Sequence, residues 1–307
     1  MELAPIVLFA YKRPLHLQRV LSSLLKNPEA AQTRLIAFSD GPRKPEDQAA
    51  VIAVRELLKS TTGFAALEVH EAPKNKGLAQ SVITGVSFVL EKFESCIVVE
   101  DDLVVSPVFL KYMNRFLNEL RDNEKVISIH AYSYPIAHLP EMFFLRGADC
   151  WGWATWRRGW RLFEKDGQKL LQSLEQKKLL RSFDFDSSYP YVKMLKEQIS
   201  GGNDSWAIRW YASAFLADKL TLYPGVSLVE NIGMDGSGEN CGISEQFSAP
   251  LGQGSVSISC PPVIENEQAR QMFKQYFNNL KPSFHRRLLR ALARKGVFGL
   301  LIDRVIK

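Results

Sequence analysis

The sequence predicts an α/β protein with a mostly parallel central sheet and helices on both faces. Three observations predict it. Apolar runs of strand length alternate with segments whose apolar residues recur at helical spacing, in the order β-α-β-α-β-α-β over the first hundred residues. No run approaches the roughly 18 apolar residues of a spanning helix. Each strand-like run also hands polar residues to the turn that follows it, which is how open α/β sheets build a ligand site at the carboxyl ends of their strands.

Residues 5–11 (PIVLFAY) are the first strand-like run, followed by Lys12, Arg13 and Pro14 and then by a segment whose leucines at 17, 21, 24 and 25 share one helical face. Residues 33–39 (TRLIAFS) form the next strand, ending at Asp40-Gly41-Pro42, and Val51, Val54, Leu57 and Leu58 mark a second helix. Residues 66–71 supply a third strand, the turn PKNKG presents Asn75 and Lys76, and Leu78, Val82, Val86, Val89 and Leu90 mark a third helix. The fourth strand, CIVV from Cys96, runs straight into Glu100, Asp101 and Asp102. Arg13, Asp40, Asn75, Lys76 and the three acids therefore converge on one edge. Adjacent carboxylates repel one another and call for a cation, a sugar hydroxyl or a base close by. An isolated acidic triplet would read as a solvated turn; the three turns beside it change that reading.

Ser106 and Pro107 are placed to start a helix through Phe109, Leu110, Met113, Phe116, Leu117 and Leu120. Residues 125–133 return as a strand, in which His130 reads as a satisfied core histidine rather than a ligand. Residues 151–160 (WGWATWRRGW) hold four of the six tryptophans, suited equally to sugar stacking, with Trp153 as the candidate contact, and to ordinary core packing. Residues 166–198 read as polar helix. GGNDSW at 201–206 precedes an amphipathic helix, so Asp204 and Ser205 are candidates for its cap, and Asp204 equally for a general base. The strand-like TLYPGVSLVENIG then leads into the glycine-rich MDGSGENCGISEQ, either a mobile flap or a surface loop.

A hydrophobic fraction of 46% in 307 residues supports a large core. We expect a nucleotide-sugar-binding α/β half over 1–135, an acceptor-side half of the same globular unit over 136–262, and a basic amphipathic tail over 263–307. Cys96, Cys150, Cys241 and Cys260 are far apart, with neither zinc nor disulfide spacing. GxGxxG and GxxxxGK[ST] are both absent, which disfavours a dinucleotide-dependent dehydrogenase and a P-loop NTPase. The net charge of +6 is local: residues 281–307 carry eight Lys or Arg against Asp303 alone, a net of +7 that leaves the rest at −1. Nucleic acid is therefore not an expected partner, whereas an anionic membrane surface is one for the tail, alongside the plain alternative of a terminal helix packed on the body.

EDDLVVSPVFLKYM, together with GADCWGWATW and GGNDSW, resembles the α-mannoside N-acetylglucosaminyltransferase I family and the bacterial glycosyltransferases related to it, in order over approximately residues 4–242. The resemblance implies a glycosyltransferase A-type fold, a nucleotide-sugar donor, a manganese-type cation (Mn2+ or Mg2+) and inversion at the anomeric carbon. By matched position it implies that Asp102 ligates the metal, that Glu100 and Asp101 face the donor's sugar and ribose, that Arg13 lies near the diphosphate and Asp40 at the base, and that Asp204 deprotonates the acceptor. The sequence departs from the eukaryotic members in showing no amino-terminal anchor, and the basic tail has no match. The expectation is an inverting, metal-dependent glycosyltransferase, UDP-sugar favoured, acting on a saccharide or lipid-linked saccharide in bacterial surface glycan synthesis. Its expected place is the cytoplasm, or the inner face of the cytoplasmic membrane. The competing expectations are a nucleotidyltransferase, whose glycine-rich loop YKRP does not resemble, and a non-catalytic carbohydrate- or membrane-binding module.

Overall fold

The computed structural model describes residues 3–236, 246–254 and 259–280. The expected flap falls largely in 237–245 and the basic stretch of the expected tail in 281–307, both outside the described residues.

The strand and helix runs of the first hundred residues form β1 (Ile6–Ala10), α1 (Pro14–Leu24), β2 (Arg34–Ser39), α2 (Gln48–Ser60), β3 (Ala66–Glu71), α3 (Leu78–Lys92) and β4 (Ser95–Glu100). There follow β5 (Leu103–Val105), α4 (Phe109–Glu119), β6 (Val126–His130), β7 (Met142–Arg146) and β8 (Trp153–Trp156). The remaining elements are α5 (Arg157–Trp160), α6 (Gly167–Gln176), α7 (Leu180–Phe183), α8 (Tyr191–Ile199), α9 (Trp206–Leu216), β9 (Leu220–Pro224), β10 (Val229–Asn231) and α10 (Glu267–Leu280).

Eight strands form one sheet in the order β3-β2-β1-β4-β8-β6-β9-β7, and β5 pairs with β10 in a small second sheet. Strands β3, β2, β1 and β4 run parallel. Strand β8 lies antiparallel between β4 and β6, which returns β6, and β9 parallel to it, to the direction of the first four; β7 closes the edge antiparallel. The α/β class with a mostly parallel sheet is therefore the observed one.

Alternation along the strands divides the core between two faces. Ile6, Leu8, Ile97 and Val99 pack with α1, α2 and α4 through Leu17, Val20, Val54, Leu58 and Phe116. Val7, Phe9, Cys96 and Val98 pack on the other face with Val82, Val86 and Val89 of α3 and with Trp206 and Trp210 of α9. Strands buried on both sides need continuous apolar sequence, which is why they were visible as runs rather than as alternation. The helix expected to begin at Ser106 begins at Phe109: the Ser106 hydroxyl instead donates to Gly252 O at 2.6 Å, and its carbonyl accepts from Phe109 N.

A third cluster joins Phe143, Leu145 and Tyr223 to α8, α9 and α10. Between α7 and α8 three consecutive non-glycine residues, Phe185, Asp186 and Ser187, take φ of 47°, 56° and 70°. Each such residue costs about 1–2 kcal/mol, so the turn has to be held from outside. Asp186 does so, accepting from Arg270 at 2.9 Å and Lys274 at 3.2 Å on α10. The hydrogen bond from Arg270, then that from Lys274, holds the Asp186 carboxyl below its ordinary range. A depressed folded-state pKa contributes stability above the unfolded value, near 3.9, and loses it as pH falls through the folded one. Asp186→Asn, which tolerates the same φ, is expected to lose about 1 kcal/mol at pH 7, with the gap to the wild type closing below about pH 4; urea midpoints at both pH values measure it.

Candidate active site

Because β1 and β4 are parallel neighbours, the turns that follow them meet. Glu100 stands level with Phe9, so Asp101 and Asp102 emerge beside Tyr11 to Arg13. One Arg13 nitrogen, Nη2, donates to Asp101 Oδ1 at 2.6 Å and to Asp102 Oδ2 at 2.8 Å, while Tyr11 N donates to Asp101 Oδ2 at 3.0 Å. Far from being a solvated turn, Asp101 and Asp102 are 4% and 9% exposed. Burial acts to lower the Arg13 pKa, but Asp101 and Asp102 overcome it and hold the guanidinium above its usual value. Burial raises Asp101 against the pull of Arg13. Burial, with the charges of Asp102 and Asp101 behind it, pushes Glu100 up to about 8. The formal charges of Arg13, Asp101 and Asp102 sum to −1, and the upward shift of Glu100 reduces the negative charge that it adds to them.

Two further ties join the turns. Tyr11 Oη and Lys12 Nζ both donate to Asp47, linking the turns after β1 and β2. Asp40 accepts from Gly41 N and Lys76 N at 2.8 Å and from Gly77 N at 3.0 Å, linking those after β2 and β3. Asn75 Nδ2 adds a bond to Gly41 O. Four turns are thereby fixed relative to one another before any ligand arrives, which lowers the cost of organising a site. Lys74 and Lys76 stand exposed on this rim and pair with no carboxylate among the described residues.

Gly233 closes the cluster from the far side, just beyond β10, where Ile232 N donates to Asp102 O. A Cβ on Gly233 would lie 2.2 Å from Asp102 Oδ2 and 2.8 Å from Arg13 Nη1. Gly233→Ala is expected to force that pair apart and cost about 1–3 kcal/mol, read as a lower urea midpoint with an unchanged m-value.

The structure brings Arg13, Glu100, Asp101 and Asp102 into one cluster and Asp40, Asn75 and Lys76 onto the adjoining rim. Two others make no hydrogen bond or ion pair with that cluster among the described residues. Trp153 is fully buried, its ring centroid 5.4 Å from Trp206, 5.7 Å from Trp210 and 5.8 Å from Trp160. Asp204 is exposed and sits two residues before α9, just ahead of its cap Ser205, which accepts from Ile208 N. Asp204 pairs with Arg209 at 3.3 Å. His130 is a core residue as expected, with Nε2 accepting from Trp151 N.

Asp102 Oδ1 makes no hydrogen bond among the described residues. With the cluster's net charge, that open oxygen fits one carboxylate ligand to a divalent cation whose other ligands come from phosphate and water, the usual arrangement for magnesium-type ions. Among the described residues no group of three or more His, Cys, Asp or Glu forms a metal cage. Sequence reasoning missed Tyr11, Asp47 and Gly233, which carry no local signal, and Asp149 with Tyr132 and Tyr134, which stand just before β8 and just after β6.

No protein-family model matches the chain, and no curated protein matches it. Solved structures do. One is a mannosyltransferase, PcManGT, from Pyrobaculum calidifontis in complex with GDP-Man and Mn2+, at 12% identity and TM-score 0.33 over 44% of this chain and 39% of that one. S. aureus TarS is similar at 14% identity and TM-score 0.32 over 48% and 25%. A putative nucleotide-diphospho-sugar transferase from Desulfovibrio desulfuricans G20 is similar at 10% identity and TM-score 0.35 over 54% and 69%. The chain thus spans well under half the length of the first two. With TM-scores under 0.5, none of the three carries weight for the function of this chain. No described helix is long and apolar enough to cross a membrane.

Proposed function

We propose that this chain is an inverting, metal-dependent glycosyltransferase of the A type, moving a sugar from a nucleotide-sugar donor, UDP-sugar favoured, to a saccharide or lipid-linked saccharide in bacterial surface glycan synthesis. One observation carries the reading: a buried carboxylate cluster whose formal charges with Arg13 sum to −1, with one open oxygen on Asp102, stands on a rim with lysines that pair with no carboxylate among the described residues, at the carboxyl ends of parallel strands. Such an edge suits a diphosphate bridged to protein by a cation. A bound Mn2+ or Mg2+ would stabilise the charge that develops on the departing nucleoside diphosphate.

The chain's own residues divide the work. Asp102 would hold the ion. Lys76 would bind the diphosphate electrostatically, Arg13 would hold the acids in place beside it, and Glu100 would meet a donor hydroxyl. Asp101 has both oxygens engaged and orients Arg13. Asp40 and Asn75 shape the wall around the base and ribose. Asp204 would accept the acceptor proton. A place on the inner membrane face would rest on the basic segment 281–307.

Release of nucleoside diphosphate from UDP-, GDP- and CMP-sugars, with Mn2+ and with chelator, tests the reading. Metal-dependent turnover of one donor is expected; carbohydrate binding without donor consumption would leave a binding module. Asp204→Asn is expected to slow transfer about 10²-fold or more with donor binding retained, and full transfer by that variant would remove Asp204 as the base.

A further inference from the structure

A cavity of about 190 Å³ lies on the sheet face covered by α8, α9 and α10, remote in sequence from the acid cluster. Its position is not remote. In register, His130 of β6 stands opposite Trp153 of β8, which stands opposite Val98 of β4. The ends of β6 and β4 are thus two strands apart on one sheet edge, about 10 Å, and Tyr132 and Tyr134 follow directly from β6.

The cavity is lined by Tyr132, Tyr134, Tyr189, Tyr191 and Tyr223, with Asp149 among them. Tyr134, Tyr189, Tyr191 and Tyr223 make no hydroxyl hydrogen bond among the described residues. Asp149 accepts only from the neighbouring Cys150 N, at 2.9 Å, and pairs with no cation among the described residues. Its charge adds to the larger effect of burial in raising the pKa of each of these tyrosines, so the phenols stay protonated and remain donors. Arg146 also lines the cavity, but its guanidinium is turned to Phe215 O and Asp218. The strained turn at residues 185–187 carries the chain to Tyr189 and Tyr191, whose rings lie 4.5 Å apart, so this wall is held at a conformational cost.

We propose that this cavity is the subsite for one pyranose ring of the acceptor, with the Asp149 carboxylate accepting hydrogen bonds from its hydroxyls and the tyrosines supplying donors and apolar ring surface. The inference rests on the glycosyltransferase reading for the word acceptor, though the sugar site itself stands on the cavity alone. The volume, roughly that of six waters, is on the scale of a single ring. A polyol offers alternating O–H groups to a carboxylate and to phenols, and C–H faces to aromatic carbon, so every unpaired group of the cavity gains a partner. An uncompensated carboxylate also sets the class of sugar: neutral rings are accepted, and a hexuronic acid is repelled.

The experiment titrates the full chain with methyl α-mannopyranoside, methyl β-glucopyranoside, methyl N-acetyl-β-glucosaminide, glucuronic acid and tetramethylammonium chloride, read by tryptophan fluorescence, since Trp151 lines the cavity. At least one neutral glycoside is expected to saturate the signal and glucuronic acid to give none. Asp149→Asn is expected to weaken that glycoside about 10-fold, the scale of one charge-assisted hydrogen bond. Tyr191→Phe, which removes only a hydroxyl, is expected to weaken it several-fold and carries the test should the Asp149 variant not fold. In the transfer assay Asp149→Asn raises acceptor KM and leaves donor KM unchanged. Preferential binding of tetramethylammonium overturns the proposal in favour of a cation cage, and so does glycoside binding indifferent to both substitutions. Metal-dependent donor turnover without glycoside binding sinks the subsite alone; glycoside binding without any donor turnover sinks the transferase reading and leaves the cavity a sugar site.

Discussion

Arg13→Ala is expected to cost about 3 kcal/mol of stability, the scale for removing one partner of a buried ion pair. The loss comes less from the missing attraction than from what remains: Asp101, 4% exposed, and Asp102, 9% exposed, facing each other and Glu100 with no cation between them. The Arg13 side chain is itself 19% exposed, which places the effect at the low end of the range for such pairs. A double-mutant cycle checks the cause. Asp101→Asn on the Arg13→Ala background should recover part of the loss, whereas Asp101→Asn alone should destabilise by removing the acceptor for Tyr11 N and Arg13. Urea denaturation at pH 7 measures all four corners. Additive losses would mean that the two side chains act independently.

Asp102→Ala is expected to do the opposite: to abolish metal-dependent release of nucleoside diphosphate by about 10²-fold or more while leaving stability unchanged or raised. Two carboxylates share Arg13 Nη2, so removing one relieves repulsion without orphaning the other. The contrast separates the adjacent acids by role, Asp101 structural and Asp102 functional. Donor turnover with Mn2+ and a thermal melt on the same preparation decide it; equal turnover by the variant would remove Asp102 from the proposed metal role.

Much of the fold was legible, and particular elements show why. Strands β1, β2 and β4 are largely buried on both faces and so had to be written as apolar runs between charged turns, whereas the edge strand β3 is only half-buried and alternates apolar with polar residues. Helix α3 had to place Val82, Val86 and Val89 on one stripe to cover β1 and β4. Strand β8 was not legible as a strand: it pairs with β4 and β6 antiparallel, and its four residues WATW lie inside a tryptophan-rich stretch that reads equally as loop or core. Once Trp153 is in the middle of the sheet, its ring falls into the cluster with Trp160, Trp206 and Trp210, and burial takes precedence over any contact with a bound sugar. Asp40 shows a related gap: its place after β2 was visible, but its occupation by the amides of Lys76 and Gly77 depends on β3 lying next to β2.

Glu100, Asp101 and Asp102 at the end of an apolar run, and Arg13, Asp40 and Lys76 at the ends of others, follow from local sequence, because strand and helix formation respond to patterns a few residues long. The sequence by itself therefore determined which charged groups reach the sheet edge. Which of them touch is a matter of strand order. Arg13 meets Asp101 and Asp102 across separations of 88 and 89 residues, Gly233 reaches them through the pairing of β10 with β5, and Asp149 finds its tyrosines only where α8, α9 and α10 fold over β7 and β9. Only the tertiary structure decided these, because a charge takes its pKa, its partner and its chemistry from what burial places beside it rather than from its neighbours in the chain.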